Sequence, residues 1–272
     1  MFFKRIRLQL LALVKSIMSS PPPSDANFLF PENSNHLINV EIWRYLVETG
    51  HAVSDATTIK GIRHFKSTRD AHHEFLIVEM EYKTRTTYII TDRMPSPTNS
   101  SSPFPLTPPT SSKGSRSTLG PVNALDRVLV PRLGLEACLN TLVLELFADV
   151  NEVCALHWPN AEASHMTAAE LSVILIAAHM SGGQYSANGN SCYWFAYNVM
   201  ELIRTKFGVV QTEGPAFAER SKIAKMRMDI QHDVDTIGEC YEAEWRKYSA
   251  RVQLKRVSSV ILCFVTAESD IS

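Results

Sequence analysis

Two β-rich runs separated by only four residues constrain the fold of this chain most strongly. His73–Met80 is apolar, and Arg85–Asp92 is rich in β-branched residues. Because only residues 81–84 separate the two runs, we predict an antiparallel hairpin. In such a hairpin the residues near position 73 lie opposite those near positions 92–94, so Asp92 is expected close to His73.

The remaining chain alternates between helical and strand-like patterns. We predict strands over Thr57–Phe65 and Val122–Val130, and helices over Ile38–Glu48, Leu135–Leu156, Thr167–Met180 and from Cys192 onward. A last long helix is predicted from about Pro215 to Val252, because its apolar residues recur at spacings of three, four and four. The sequence therefore predicts an α+β fold, in which a small antiparallel sheet packs against several helices and a long carboxy-terminal helix follows.

Two segments have compositions that do not favour a packed element. Residues 20–35 contain three consecutive prolines, and Met94–Thr118 consists almost entirely of Pro, Ser, Thr and Asn. We therefore predict three parts: a basic amphipathic amino terminus with a Pro-rich linker over 1–35, an α+β domain over 36–210 with a disordered insertion at 94–118, and a helical segment over 211–272.

The overall composition limits the classes of partner. The chain has 272 residues, 45% of them hydrophobic, and a formal net charge of −1, which gives no electrostatic basis for binding nucleic acid. Its five cysteines are an odd number without regular spacing, which indicates a reducing, cytoplasmic environment. No apolar stretch reaches the roughly 18 to 20 residues of a membrane span.

The two ends of the chain suggest further contacts. The basic, apolar residues 2–15 are compatible with weak contact to a membrane surface, and they leave organelle targeting or secretion open. The apolar stripe of the long carboxy-terminal helix needs a partner, either the body of the protein or a second copy of the chain.

Cys192 is the candidate nucleophile, because it lies at the predicted start of a helix after a polar turn. Asn190 or Ser191 can cap this helix with a side-chain oxygen. The unpaired amides of the first turn and the positive end of the helix dipole favour a thiolate over a thiol. The alternative is that Cys192 is a small core residue among the aromatic residues that follow it.

A histidine at the start of the first hairpin strand is the candidate base. His72 and His73 point to opposite faces if the strand begins there, so only one of them can face the thiol, and periodicity does not choose between them. A neutral imidazole beside the sulfur could accept its proton and return it to a leaving group. Asp92 is the candidate third residue, because the hairpin places it near the histidine.

The sequence contains no other recognisable site. Cys154-x-x-His157 followed by His165 resembles a partial zinc set, but no second pair of ligands completes it, and we expect no metal. No Gly-rich phosphate loop and no Gly-x-Ser-x-Gly motif occurs, so nucleotide-dependent enzymes and serine hydrolases are disfavoured and no cofactor is expected.

The order of these parts resembles a broad group of uncharacterised fungal proteins, whose shared marks are a His-Glu strand start and an Asn-Cys-x-Trp-Phe/Tyr helix start. The residues that carry the resemblance are His73-Glu74, Asp92-Arg93 and Cys192-Tyr193-Trp194-Phe195. The histidine-first, cysteine-later order is in turn similar to the circularly permuted papain-like fold of NlpC-type hydrolases, lecithin retinol acyltransferase relatives and PPPDE isopeptidases. The resemblance covers about residues 70–208; the asparagine here lies one place earlier, at Asn190.

This resemblance implies that His73 rather than His72 is the base and that Cys192 is the nucleophile. We therefore expect a cysteine-dependent hydrolase or acyltransferase in which Cys192 attacks an amide or ester carbonyl of a protein or acyl substrate, His73 transfers the proton and Asp92 orients the ring. The alternative is a non-catalytic interaction protein with the same fold, in which the carboxy-terminal helix binds a partner.

Overall fold

The structure is a computed structural model that describes residues 28–31, 35–68, 73–96, 122–132, 149–159, 165–186, 189–223, 226–227 and 232–269. The predicted α+β class is confirmed, since within these residues seven strands form one antiparallel sheet accompanied by five α-helices. None of the described helices combines the length and apolar character needed to cross a bilayer.

The strands follow a meander interrupted by long connections. They are β1 His36–Asn39, β2 Thr58–Ser67, β3 Glu74–Tyr82, β4 Arg85–Pro95, β5 Ala124–Val130, β6 Val150–His157 and β7 Val210–Glu213, in the spatial order β1-β5-β4-β3-β2-β6-β7. A two-stranded ribbon consists of β8 Lys222–Ile223 and β9 Met226–Arg227, and a short 3-10 helix, Phe217–Glu219, precedes it. The helices are α1 Val40–Thr49, α2 His51–Ala56, α3 Ala168–Gly182, α4 Cys192–Phe207 and α5 Val234–Ser269.

The central hairpin is confirmed with the register that the sequence predicts. Tyr82 pairs with Arg85 and Leu76 with Thr91, so the turn contains only two residues. Lys83, the first of them, has a φ of 55°, in the left-handed region that tight hairpin turns require. This register brings Asp92, next to Thr91, to the end of β3 where His73 lies.

Side-chain alternation along β3 divides the core between the two faces of the sheet. Leu76 and Val78 belong to the main core, which they share with buried residues of the helices. Phe75 and Ile77 point to the other face, where they form a smaller cluster with Phe65, Ile90 and Leu129.

Helix α3 lies at the centre of the helical layer. Residues 171–178 are all buried, as the apolar run there predicts, because α1, α4 and α5 all contact this helix. The predicted capping box is present: Glu170 N–H donates to Thr167 Oγ1 at 3.2 Å, and Thr167 N–H donates to Glu170 Oε2 at 2.8 Å. The predicted cap of α1 is also confirmed, since Asn39 Oδ1 accepts from Ile42 N–H at 2.8 Å.

The helix predicted over Leu135–Leu156 is wrong at its carboxy-terminal end. Val150–His157 forms strand β6, which pairs with β2 on one side and β7 on the other. The consecutive residues 153–156 are all buried, and a continuous apolar run suits a strand covered on both faces as well as a helix. Residues 135–148 lie outside the described part of the chain.

The boundaries of two other predicted segments also change. Leu29 and Phe30, assigned to the Pro-rich linker, are buried in the main core, where the Phe30 ring lies 6.0 Å from that of Tyr82. Met94 and Pro95, assigned to the insertion, end strand β4; residues 97–118 of that predicted insertion lie outside the described residues.

The long carboxy-terminal helix begins at Val234 rather than near Pro215. Residues 210–213 extend the main sheet as β7, so the chain completes the sheet before the helix starts. Helix α5 then packs on α3 and α4, and its residues Ile237, Tyr241, Tyr248 and Val252 are buried in the main core. This part of the predicted apolar stripe therefore packs against the body of the protein.

Candidate functional site

Cys192 is the first residue of α4, as the sequence predicts, and it is 3% exposed. Ser191 occupies the N-cap position, but its side chain makes no capping hydrogen bond. The side-chain nitrogen of Asn190 donates to the carbonyl of Gly182 at 2.5 Å. Because Cys192 is the first residue of the helix, its thiol lies at the positive end of the helix dipole.

His73 lies immediately before β3 and contacts both other predicted site residues. Its Nε2 lies 2.9 Å from Asp92 Oδ2, and its side chain is also hydrogen-bonded to that of Cys192. Since Asp92 occupies Nε2, Nδ1 is the ring nitrogen that remains for the thiol. The structure thus brings Cys192, His73 and Asp92 together; His72 lies outside the described residues.

The charges around His73 favour its protonated form. Burial lowers the pKa of this ring, but the electrostatic interaction with Cys192 and the hydrogen bonds to Asp92 and Cys192 outweigh burial and raise the pKa to about 10. The imidazolium therefore stabilises the fold fully below pH 6.5, the ordinary pKa of histidine, and this stabilisation is lost as the pH rises through about 10.

Asp92 is itself held by an arginine from the neighbouring strand. Arg127 donates from Nε to Asp92 Oδ1 at 2.8 Å and from Nη2 to Oδ2 at 2.5 Å. Burial would raise the pKa of Asp92, but Arg127 and His73 lower it well below its usual range. Asp92 therefore stays ionised and can hold His73 in one orientation.

Tyr185 is a site residue that sequence analysis missed. Its side chain is hydrogen-bonded to the side chain of Cys192 and to the Cys192 backbone. Burial, followed by the interaction with Cys192, raises the pKa of the phenol, so the hydroxyl keeps its proton and can donate. Two backbone hydrogen bonds to Val122, at 2.7 and 3.2 Å, fix the backbone of Tyr185.

Arg93 and Asp126 were also missed, although both are completely buried beside the site. Arg93 Nη1 donates to Asp126 Oδ2 at 2.7 Å. The same guanidinium donates from Nη2 to the carbonyl of Gly183 at 2.7 Å and from Nε to that of Asn190 at 3.0 Å. Arg93 therefore holds the backbone on both sides of Tyr185, immediately before Cys192.

Another buried group of charged side chains surrounds Glu74, the residue after His73. Glu74 follows His73 and is fully buried; its Oε2 lies 2.9 Å from His64 Nε2, and its Oε1 lies 3.3 Å from Lys66 Nζ. Burial would raise the pKa of Glu74, but His64 and Lys66 lower it. Ser221 N–H also donates to Glu74 at 2.8 Å, so this cluster fixes the segment before β8 to the sheet.

The three residues of the partial zinc pattern have different surroundings. Cys154 Sγ lies 3.9 Å from His64 Nδ1, and burial raises the pKa of this thiol to about 11. His157 Nε2 lies 3.1 Å from Thr212 Oγ1, and the His165 ring lies 5.7 Å from that of Trp158. Among the residues that the structure describes, no three His, Cys, Asp or Glu side chains are grouped for metal binding.

No protein family, no curated protein and no solved structure matches the chain significantly. The site is therefore interpreted from its own geometry.

Proposed function

We propose that this chain is a cysteine-dependent hydrolase or acyltransferase that acts on an amide or ester bond. The observation that carries the proposal is that His73 is hydrogen-bonded to Cys192 on one side and to Asp92 on the other. A thiol, a base and a group that orients the base are the three parts of an activated cysteine nucleophile. We also propose the relationship to permuted papain-like enzymes, because the histidine precedes the cysteine in the chain and opens a strand.

In the first half of the proposed reaction the thiolate of Cys192 attacks the carbonyl carbon. A C–S bond forms, and the electron pair of the C=O bond moves to the oxygen. When this intermediate collapses, the bond to the leaving group breaks, and protonated His73 gives its proton to the departing amine or alcohol. Asp92 keeps the imidazolium in place during the transfer.

The developing oxyanion needs hydrogen-bond donors close to the sulfur. Cys192 N–H lies at the helix start, and the Tyr185 hydroxyl is hydrogen-bonded to the same residue. Both donors are neutral and lie beside the sulfur, where the Cys192 N–H donates to the Tyr185 hydroxyl; in the proposed reaction both turn to the oxyanion as it forms. We infer that Tyr185 takes this role together with the helix-start amides.

In the second half the acyl group leaves the sulfur. His73, now neutral, accepts a proton from water or from an acceptor alcohol or amine, whose oxygen or nitrogen attacks the thioester carbon. The C–S bond breaks, and Cys192 leaves as a thiolate beside the imidazolium. Water gives hydrolysis, and another nucleophile gives acyl transfer.

The proposal predicts an unusual pH dependence for alkylation of Cys192 by iodoacetamide. An ordinary thiol, with a pKa of about 8.5, reacts roughly tenfold more slowly for each pH unit below that value. Because the side chain of His73 is hydrogen-bonded to that of Cys192 at a helix start, the proposal predicts that the Cys192 rate falls much less steeply than this between pH 8 and 6. Site mapping by mass spectrometry measures this rate.

Two other cysteines provide the controls in the same sample. Cys154 is buried and has a pKa of about 11, and Cys240 is partly exposed with a raised pKa, so both should label more slowly at pH 6. The proposal fails if Cys192 labels only after unfolding, or if its rate falls with pH as an ordinary thiol's does.

A further inference from the structure

The dipeptide Asp-Arg occurs in two paired strands, as Asp92-Arg93 in β4 and as Asp126-Arg127 in β5. In the antiparallel register Asp92 lies opposite Arg127, and Arg93 lies opposite Asp126. Because successive side chains point to opposite faces, the two ion pairs lie on opposite faces of the sheet. One pair orients His73, and the other contacts the segment that carries Tyr185.

The second pair is anchored at several points. Besides Arg93, Asp126 Oδ2 lies 2.7 Å from His179 Nδ1, on the last turns of α3. The Arg93 guanidinium lies 5.3 Å from the centre of the Trp194 ring, in the first turn of α4. Arg93 thus contacts the end of one helix, the start of the next and the backbone between them.

Gly182 shows how little space surrounds this contact. A Cβ atom at this position would lie 2.7 Å from Arg93 Nη1 and 2.7 Å from the Trp194 ring. An alanine here would therefore displace the guanidinium, the Trp194 ring or both, without removing a charge or a hydrogen-bond partner of Arg93.

We propose that Arg93 and Asp126 are positioning residues, which hold Tyr185 and the backbone N–H of Cys192 in the geometry that binds the reaction's oxyanion. This inference rests on the proposed function. The ion pair itself does not contact the substrate; it acts through the carbonyls of Gly183 and Asn190. Asp92 and Arg127 instead position His73 for proton transfer. The ion pair on one face of the sheet thus supports proton transfer, and the ion pair on the other face supports oxyanion binding.

Two reactions of Cys192 separate these tasks. Alkylation by iodoacetamide needs the thiolate but forms no oxyanion, whereas acylation by p-nitrophenyl acetate needs both. We expect Arg93→Lys to slow acylation about tenfold or more, since its amine cannot hold both carbonyls, and to change alkylation by less than about twofold. Arg127→Lys should instead alter the pH profile of alkylation. Arg204→Lys, at an exposed arginine of α4, is the matched control and should change neither.

A double substitution tests whether Arg93 acts through Tyr185. Tyr185→Phe removes only the hydroxyl. Because Arg93 also holds the backbone before Cys192, adding Arg93→Lys to this variant should slow acylation further, but by a smaller factor than Arg93→Lys slows the wild type. If Arg93→Lys fails to fold, Gly182→Ala provides the same test, with acylation slowed and alkylation retained.

The outcomes are distinct. Equal slowing of both reactions by Arg93→Lys, no slowing of either, or additive effects with Tyr185→Phe would overturn the positioning role while leaving the proposed function intact. A wild-type protein that p-nitrophenyl acetate does not acylate at Cys192 would instead refute the proposed function.

Discussion

Replacing His73 with alanine is expected to slow acylation of Cys192 by p-nitrophenyl acetate about 10³-fold at pH 7. The substitution removes the cation that stabilises the thiolate and the group that transfers the proton, and positioned acid–base groups typically contribute 10²- to 10⁴-fold. His73 is hydrogen-bonded to both Cys192 and Asp92, so the substitution removes both contacts. Release of p-nitrophenol under single-turnover conditions measures the rate.

Replacing a histidine outside the candidate site is the matched control. His157 is exposed on β6 and contacts only Thr212 among the hydrogen bonds of the described side chains, so His157→Ala should react within about twofold of the wild type. A His73→Ala rate within about threefold of the wild type would contradict the assigned role.

Replacing Arg93 with methionine is expected to lower the free energy of unfolding by about 3–5 kcal/mol. Arg93 and Asp126 are both fully buried, so the substitution removes the guanidinium from Asp126, whose remaining side-chain partner is His179 at 2.7 Å, and it also leaves two backbone carbonyls without their donor. Urea denaturation, followed by tryptophan fluorescence and circular dichroism, measures the change.

Two further variants test the cause of this loss. Arg93→Met combined with Asp126→Leu removes both charges and should recover part of the stability, because no buried carboxylate then remains without its guanidinium partner. Arg251→Met breaks the more exposed pair with Glu48 and should cost less than about 1 kcal/mol. A loss below about 1 kcal/mol for Arg93→Met would show that the buried pair does not hold the fold.

The part of the candidate site that depends on local patterns could be predicted from the sequence. A short turn between two β-rich runs determines which residues face each other, so Asp92 was expected beside His73. A polar turn before an aromatic-rich run determines that a helix starts at Cys192. Both signals are contained within about 20 residues of sequence.

The residues that were missed depend on contacts between distant segments. Tyr185 lies in an irregular segment without periodicity, and its position depends on a bridge to Val122, more than 60 residues away. Arg93 meets Asp126 only because β4 and β5 pair across the segment 97–121. A signal was nevertheless present, since one Asp-Arg dipeptide at the end of a predicted strand and another within a second predicted strand form crossed ion pairs when the strands run antiparallel.

The error at Leu135–Leu156 has a different origin. Apolar residues at helical spacing continue into the run 153–156, and a short apolar run is compatible with both a helix and a buried strand. Residues 150–157 form a strand because β2 supplies backbone hydrogen-bond partners along one edge of this segment. Such partners are not visible in a local window of sequence.

Formation of an acyl-enzyme at Cys192 tests the central claim most directly. The folded wild-type protein and Cys192→Ala would be exposed briefly to p-nitrophenyl acetate, quenched in acid, and analysed by intact-protein mass spectrometry with site mapping. We predict one acetyl group on Cys192 of the wild type, lost with time as water attacks the thioester, and no such group in the variant. Acetylation spread over lysines or other cysteines, with Cys192 unmodified in the folded protein, would contradict the account.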